Sequence, residues 1–245
     1  MMRVCIAGVT GWIGKPLAEA IRASDDLELA CGVARSLGNS VGEALKIPFD
    51  VFVDYTSATA VKGNVLAAVN ASRHVVVGSS GLSDADYAEI DALARERGVG
   101  VIAVGNFAIS AALLQRFAAE AARFIASWEI IDYAHDAKID APSGTARELA
   151  WRLSQAGAPQ TAVPLDEVVG PRESRRATVS GSQVHSVRLP GHTIALEVHF
   201  GREDERLTLR YEGGVGAQPY IGGTLLAIRR VSAFSGVVRG MDELL

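Results

Sequence analysis

Short apolar runs alternate with helical patterns through the first hundred or so residues of the chain. Residues 3–7, 27–33, 51–54, 74–77 and 99–104 read as strands. Residues 15–24, 61–70 and 83–97 read as helices, with apolar positions such as Leu17, Ala18 and Ile21 at helical spacing. Strands that are apolar throughout, separated by helices, predict a parallel sheet covered on both faces. After residue 110 the period changes. A long amphipathic helix is expected over 111–125, an alternating strand over 128–135 and a helix over 144–156. A Pro-, Arg- and Ser-rich stretch occupies 159–182, and three alternating segments follow over 183–189, 193–200 and 206–211. Ile194, Leu196, Val198 and Phe200 share one face of the second, and Leu207, Leu209 and Tyr211 one face of the third, as in strands buried on one side. A last helix over 220–232 returns to the first style. The expected fold class is α/β: a Rossmann-type doubly wound parallel sheet, made of residues 1–107 and 216–245, with an α+β domain over 108–215 that carries an open mixed sheet.

Composition narrows the class without changing it. With 245 residues, 49% hydrophobic and 21% charged, the chain can bury a core with no disulfide or metal, and disordered and fibrous classes are excluded. The net charge is -4 and the 24 Lys and Arg are scattered, which argues against nucleic-acid or membrane-surface binding. Cys5 and Cys31 lie in apolar runs and read as buried structural thiols. The apolar run over 4–9 is too short for an export signal, and the uncharged stretch over 98–115 is broken by Gly100, Gly105, Asn106 and Ser110. A cytoplasmic protein is therefore expected.

Two places carry candidate chemistry. Directly after the first strand come Gly8, Val9, Thr10, Gly11, Trp12, Ile13 and Gly14, leading into a helix. Glycines in this context let a backbone approach a pyrophosphate whose charge the helix amides stabilise, so a dinucleotide is the expected ligand. A bare tight turn is the plainer alternative. At the end of the second strand, where an NAD enzyme usually places a carboxylate for the ribose 2′-hydroxyl, stand Ala34, Arg35 and Ser36. Arg35 suits a 2′-phosphate, so NADPH is the expected cofactor, with NADH as an alternative.

The second place is the run from Tyr133 to Ala146. A strand delivers His135 and Lys138, and a turn then opens a helix that Ser143 or Thr145 can cap, Thr145 with Glu148 fitting a capping box. Free amides at Gly144 and Thr145 beside the Lys138 ammonium would make a carboxylate-binding corner. A capped helix with a solvated lysine is the alternative. His74, His185, His192 and His199 read as structural, and no spacing suggests a metal site.

Lys138 followed by Asp140-Ala-Pro-Ser-Gly-Thr-Ala146 resembles the signature of the dihydrodipicolinate reductase family. Other blocks match in the same order: Asp54-Tyr55-Thr56, Gly78-Ser79-Ser80-Gly81 and Asn106-Phe107-Ala108-Ile109. The resemblance spans the chain. It implies that Gly8, Thr10, Gly11, Trp12, Ile13, Gly78, Ser79, Ser80, Val104, Asn106 and Phe107 hold a nicotinamide nucleotide. It also implies that His135, Lys138, Ser143, Gly144 and Thr145 bind a substrate carboxylate, with His135 and Lys138 taking part in catalysis. The implied reaction is hydride transfer to a cyclic conjugated imine bearing two carboxylates, on the way to lysine and diaminopimelate, by a tetramer joined through the inserted sheet. One departure matters. Counting back from Lys138, the histidine that the family uses as proton donor falls on Ala134, with its acid on Asp132. His135, Tyr133 or water would then supply the proton, or the substrate would be a different cyclic imine. A non-catalytic NADP(H) sensor is the remaining alternative. A short-chain dehydrogenase is excluded, because none of the five tyrosines is followed by lysine four residues on.

Overall fold

The computed structural model describes every residue except Arg176 and every side chain except those of Arg172, Arg176 and Asp242; Arg176 belongs to the 159–182 stretch. The chain divides into two compact units, Met1–Ile109 with Gly216–Leu245, and Ser110–Val215. In chain order the elements are β1 (Met2–Ala7), α1 (Gly14–Arg22), β2 (Leu27–Val33), α2 (Val41–Ala44), β3 (Val51–Asp54), α3 (Val61–Asn70), β4 (His74–Val77), α4 (Asp84–Arg97) and β5 (Gly100–Ala103). Then come α5 (Ile109–Ala122), β6 (Ser127–Ala134), α6 (Gly144–Ala156), β7 (Thr178–Val179), β8 (Ser182–Arg188), β9 (Ile194–Arg202), β10 (Glu205–Gly213), α7 (Gln218–Arg230) and β11 (Gly236–Arg239).

The first unit is a six-stranded parallel sheet in the order β11-β5-β4-β3-β1-β2. Its inner strands are apolar throughout because both faces are covered. Val4, Cys5, Ile6, Val51, Phe52, Val53, Val75 and Val76 are wholly buried, and α3 and α4 close one side through Val61, Val65 and Ile90. Strand order reverses at β1, which has β2 on one side and β3 on the other. The carboxyl ends of β1 and β3 thus form the switch point at which such sheets take their ligands. The expected doubly wound plan holds, while β11 and the single turn α2 had given no readable pattern. Cys5 and Cys31 are free thiols at paired positions on β1 and β2. Cys5 is buried, which pushes its thiol well up, and Cys31 is half-buried.

The second unit is a mixed sheet in the order β10-β9-β6-β8-β7, with β6 antiparallel to β9 and parallel to β8. One face is dry. Trp128, Ile130, Val184, Val198 and Phe200 are buried, as are Leu149 and Leu153 of α6, which lies against β6 and β8, and the Trp128 and Phe200 rings lie 6.0 Å apart. The edge strand departs from expectation. Leu207 stands opposite Phe200 and Leu209 opposite Val198, yet Leu207 is exposed and Leu209 half-buried, because α6 packs over β6 and β8 rather than β10. The strand expected to reach residue 135 stops at Ala134, the last residue paired to both Arg188 and Ile194. The chain then turns, and the Lys138 amide donates to the His135 carbonyl at 3.2 Å. Among the described residues no helix is long and apolar enough to cross a membrane.

Candidate functional site

In the first unit the glycine loop is shaped by contacts that admit no side chain. Gly8 has φ +87°, and a Cβ on it would lie 2.1 Å from the Tyr55 carbonyl oxygen, across the switch point. A Cβ on Gly14 would lie 2.0 Å from the Gly8 carbonyl oxygen. The Gly8 amide donates to Val33 and the Gly11 amide to Gly8, each at 2.8 Å. Helix α1 starts without a side-chain cap, the Lys15 amide donates to the Gly11 carbonyl at 3.0 Å and Pro16 has no N–H, so the Gly14 amide is the one in the first turn left for an outside acceptor. Thr10, Gly11 and Trp12 are exposed and Ile13 half-buried; the edge of the Trp12 ring meets Tyr220 with centroids 5.5 Å apart. Across the loop, the Thr10 and Ser36 hydroxyls are 3.1 Å apart. Ala34 offers no carboxylate, and exposed Arg35 carries no ion pair among the described residues.

A buried acid braces the neighbouring loops. Asp54, fully buried at the end of β3, accepts from Ser79 Oγ (2.6 Å), Thr56 Oγ1 (2.8 Å), Asn64 Nδ2 (2.8 Å) and the Thr56 amide (3.1 Å). The Ser79 hydroxyl is thus engaged within the protein. A Cβ on Gly78 would strike the Tyr55 ring at 2.1 Å; that ring meets Phe107 edge-on at 6.1 Å, and its hydroxyl shares a hydrogen bond with the Thr224 hydroxyl (2.6 Å). Ser80 is exposed, Val104 nearly buried, and the Phe107 side chain lies in the core, so a ligand would meet Phe107 only through its backbone. Asn106 is the exception. Its Oδ1 accepts from the Ala108 amide at 2.9 Å, which fixes the amide's orientation and leaves Nδ2 buried with no partner. A glycine cradle, an uncapped helix amide and one unmet buried donor fit a nicotinamide dinucleotide.

The second unit gathers the run 132–147 around another buried acid. Asp132, on the covered face of β6, accepts from Ser143 Oγ (2.7 Å), the Ser143 amide (2.8 Å) and Arg188 (2.8 Å). Arg188 also donates to the Asp140 carbonyl at 2.7 Å, so loop and helix start are tied to the sheet together. Ser143 caps α6, taking the Ala146 amide at 3.3 Å. Thr145 is the second helical residue and cannot be the cap, and the expected capping box fails because Ala146 fills its acidic position while Glu148 pairs with Arg152 at 2.9 Å. Gly144 is exposed and a Cβ there would meet only Arg147, at 3.9 Å. Lys138 Nζ lies 2.7 Å from Asp140 Oδ1, and this pairing, with Arg147 adding to it, holds the Asp140 carboxyl below the usual carboxylate range.

His135 sits beyond the strand end, exposed, so the alternation of strand side chains does not bind it. Tyr133 points to the open face of the sheet, opposite Asp132. Its hydroxyl donates to Glu197 at 3.1 Å under the Arg210 guanidinium, and burial together with Glu197 raises its pKa. Ala134 shares the face of Asp132 and is wholly buried. The other histidines are engaged: His74 accepts from the Gly100 amide (2.9 Å), His185 meets Glu129 (2.8 Å), His199 meets Glu197 (3.2 Å) and Thr208 (2.9 Å), and His192 lies 5.2 Å from the Tyr133 ring. Among the described residues no three His, Cys, Asp or Glu side chains are placed to hold a metal. Sequence reasoning passed over Asp54 and Asp132 as hubs, and it missed Asp140, Arg147 and Arg188. Arg147 left one signal, a cation close to a helix N-terminus, where the dipole disfavours it.

Residues 2–107 match the family described as dihydrodipicolinate reductase, N-terminus, and residues 110–245 match its C-terminal counterpart. The 4-hydroxy-tetrahydrodipicolinate reductase of Mycobacterium sp. (strain KMS) is 36% identical, covering 100% of this chain and 99% of its own. That of Desulfitobacterium hafniense (strain DSM 10664 / DCB-2) is 34% identical, with 100% and 98% covered. Among solved structures, the dipicolinate-bound dihydrodipicolinate reductase of Paenisporosarcina sp. TG-14 superposes with a TM-score of 0.85 at 28% identity, covering all of both chains. GenD2 from gentamicin A biosynthesis, in complex with NAD, shares the fold, with a TM-score of 0.65 at 17% identity over 94% of this chain and 86% of its own. With both parts of the family matched and relatives aligned end to end, the chain belongs to the dihydrodipicolinate reductase family of nicotinamide-dependent oxidoreductases.

Proposed function

We propose that this protein reduces the cyclic imine derived from 4-hydroxy-tetrahydrodipicolinate, giving tetrahydrodipicolinate for lysine and diaminopimelate synthesis. The observation that carries the reading is the clamped start of α6. Asp132 and Arg188 fix Ser143 and the Asp140 carbonyl, so the Gly144 and Thr145 amides and the Lys138 ammonium lie on one short braced loop. Such an arrangement takes a carboxylate, and the Paenisporosarcina relative is a dipicolinate complex. In the first unit, Gly8, Thr10, Gly11, Trp12 and Ile13 would cradle the pyrophosphate, and the backbone at Gly78, Ser79, Ser80, Val104 and Phe107, with Asn106 Nδ2, would line the nicotinamide. The reduced nicotinamide supplies the hydride when bound. Ala34 and the unpaired Arg35 favour NADPH over NADH.

Hydride addition to the imine leaves one proton to be delivered. Ala134 has none to give. Tyr133 lies on the other face of the sheet and is held by Glu197, so it is not the donor. His135, exposed at the strand end and free of side-chain partners among the described residues, is the group we assign to proton delivery, directly or through one water. Lys138 fixes the carboxylate next to the imine carbon and offsets its charge, which keeps the iminium form reactive. We place subunit association on the open face of the mixed sheet, where Ile131 and Val187 are only half-covered, and location in the cytoplasm.

The test is oxidation of NADPH by the purified protein, with 4-hydroxy-tetrahydrodipicolinate generated in situ by its synthase and an active lysine-pathway reductase run in parallel. Turnover within about tenfold of that control supports the reading, and His135→Gln should then lower kcat by ~10²-fold, the range for a general acid. One observation favours a second reading, reduction of a different cyclic imine: alanine stands at position 134. Tight NADPH binding without turnover would point to another imine or to sensing.

A further inference from the structure

The ammonium assigned to the substrate carboxylate already carries a carboxylate of its own. Lys138 Nζ lies 2.7 Å from Asp140 Oδ1, and the Asp140 side chain makes no second ion pair among the described residues. Arg147, 3.9 Å from where a Cβ on Gly144 would stand, acts on the same carboxylate, so Asp140 sits in the field of both cations that border the corner. Its backbone is held. The Asp140 carbonyl accepts from Arg188 at 2.7 Å, and Arg188 is locked to the fully buried Asp132. The pair itself is open to solvent, with side-chain exposures of 29% and 37%. An ion pair so exposed adds little to folding, and the loop is braced through Arg188, Asp132 and Ser143 without it. Stability therefore does not account for an acid at this position.

We propose that Asp140 is an internal competitor for the substrate carboxylate, which occupies Lys138 in the free protein and so sets the affinity of the corner. The inference rests on the reading that Lys138 binds a carboxylate. An arriving carboxylate takes over the ammonium and the Asp140 carboxylate turns out to water, with no bond made or broken. An exposed pair of ordinary strength is closed most of the time, so it lowers apparent affinity by about two- to sixfold.

Dipicolinate binding to the full chain, saturated with NADP⁺ and followed by calorimetry, tests this in the wild type, Asp140→Asn, Lys138→Ala and the double variant. Asp140→Asn is expected to bind dipicolinate about two- to sixfold more tightly with a melting temperature that is the same or only slightly lower, and the gain should shrink as salt is raised. Lys138→Ala should bind it more weakly, and Asp140→Asn should bring a much smaller gain in that background. A gain of equal size without Lys138 would mean plain charge repulsion and would overturn the competitor. Weaker or unchanged binding in Asp140→Asn, with Lys138→Ala still impaired, would overturn it while leaving the carboxylate corner standing. Unchanged binding in Lys138→Ala would remove the corner reading and this inference together.

Discussion

In the unit built on the parallel sheet, glycine stands where the fold leaves no room. A Cβ on Gly8 would press on the Tyr55 carbonyl at 2.1 Å, and one on Gly14 would press on Gly8 itself at 2.0 Å. In the unit built on the mixed sheet, Gly144 begins a helix with open space around it, its nearest neighbour the movable end of Arg147 at 3.9 Å. The first two glycines are required before any ligand arrives. Nothing in the packing around Gly144 requires a glycine. The acids differ in a related way. Asp54 gathers four donors, from hydroxyls, an amide and a carboxamide, and is a hub of neutral groups. Asp132 faces a guanidinium in addition to Ser143, so its unit depends on a buried charge pair. The loop proposed for the cofactor is thus held by steric necessity, and the corner proposed for the substrate by electrostatics.

Three substitutions break that comparison, in decreasing order of effect. Asp132→Ala leaves Arg188 charged, largely buried and without its acid, which costs about 3–5 kcal/mol; chemical denaturation should show the loss, and the start of α6 should lose amide-exchange protection first. Gly8→Ala combines a left-handed backbone with a backbone overlap, for about 2–4 kcal/mol, and NADPH binding followed by tryptophan fluorescence should fall with stability. The smallest effect concerns Asp140. Its pKa is lowered in the folded protein, so the stabilisation it contributes is present above the unfolded value of about 3.9 and is lost as pH falls through the lowered one. A carboxyl titration by NMR should place Asp140 below that reference, and Lys138→Ala should return it most of the way.

The doubly wound plan was legible because its strands are buried on both faces and read as continuous apolar runs, with β3, α3, β4 and α6 falling on the residues expected. The glycine loop was legible as a tight turn because it follows the first strand directly, and Gly8 and Gly14 stand where no Cβ fits. Other features were not. Asp132 is one alternating position of a strand, and nothing local tells a buried acid from a solvated one; its partner Arg188 lies 56 residues away. The cap was ambiguous between Ser143 and Thr145 because either hydroxyl can serve, and the Asp132 bond to Ser143 decides it. His135 was read as a strand residue because hydrophobic alternation cannot show where pairing ends, and that one residue determines which way its ring is free to turn. β11 is four residues long and takes its place through pairing with β5 and the bond from the Val237 amide to Asp91, both distant in sequence.

If the start of α6 is shaped for a carboxylate rather than for folding, Gly144→Ala should separate the two. Alanine suits a helix start at least as well as glycine there, and the open space admits its methyl. Steady-state kinetics with 4-hydroxy-tetrahydrodipicolinate, read beside a thermal melt, should show KM raised about tenfold or more with the melting temperature unchanged or slightly higher. A variant with unaltered KM, or one whose KM rises only as the fold is lost, would contradict the account.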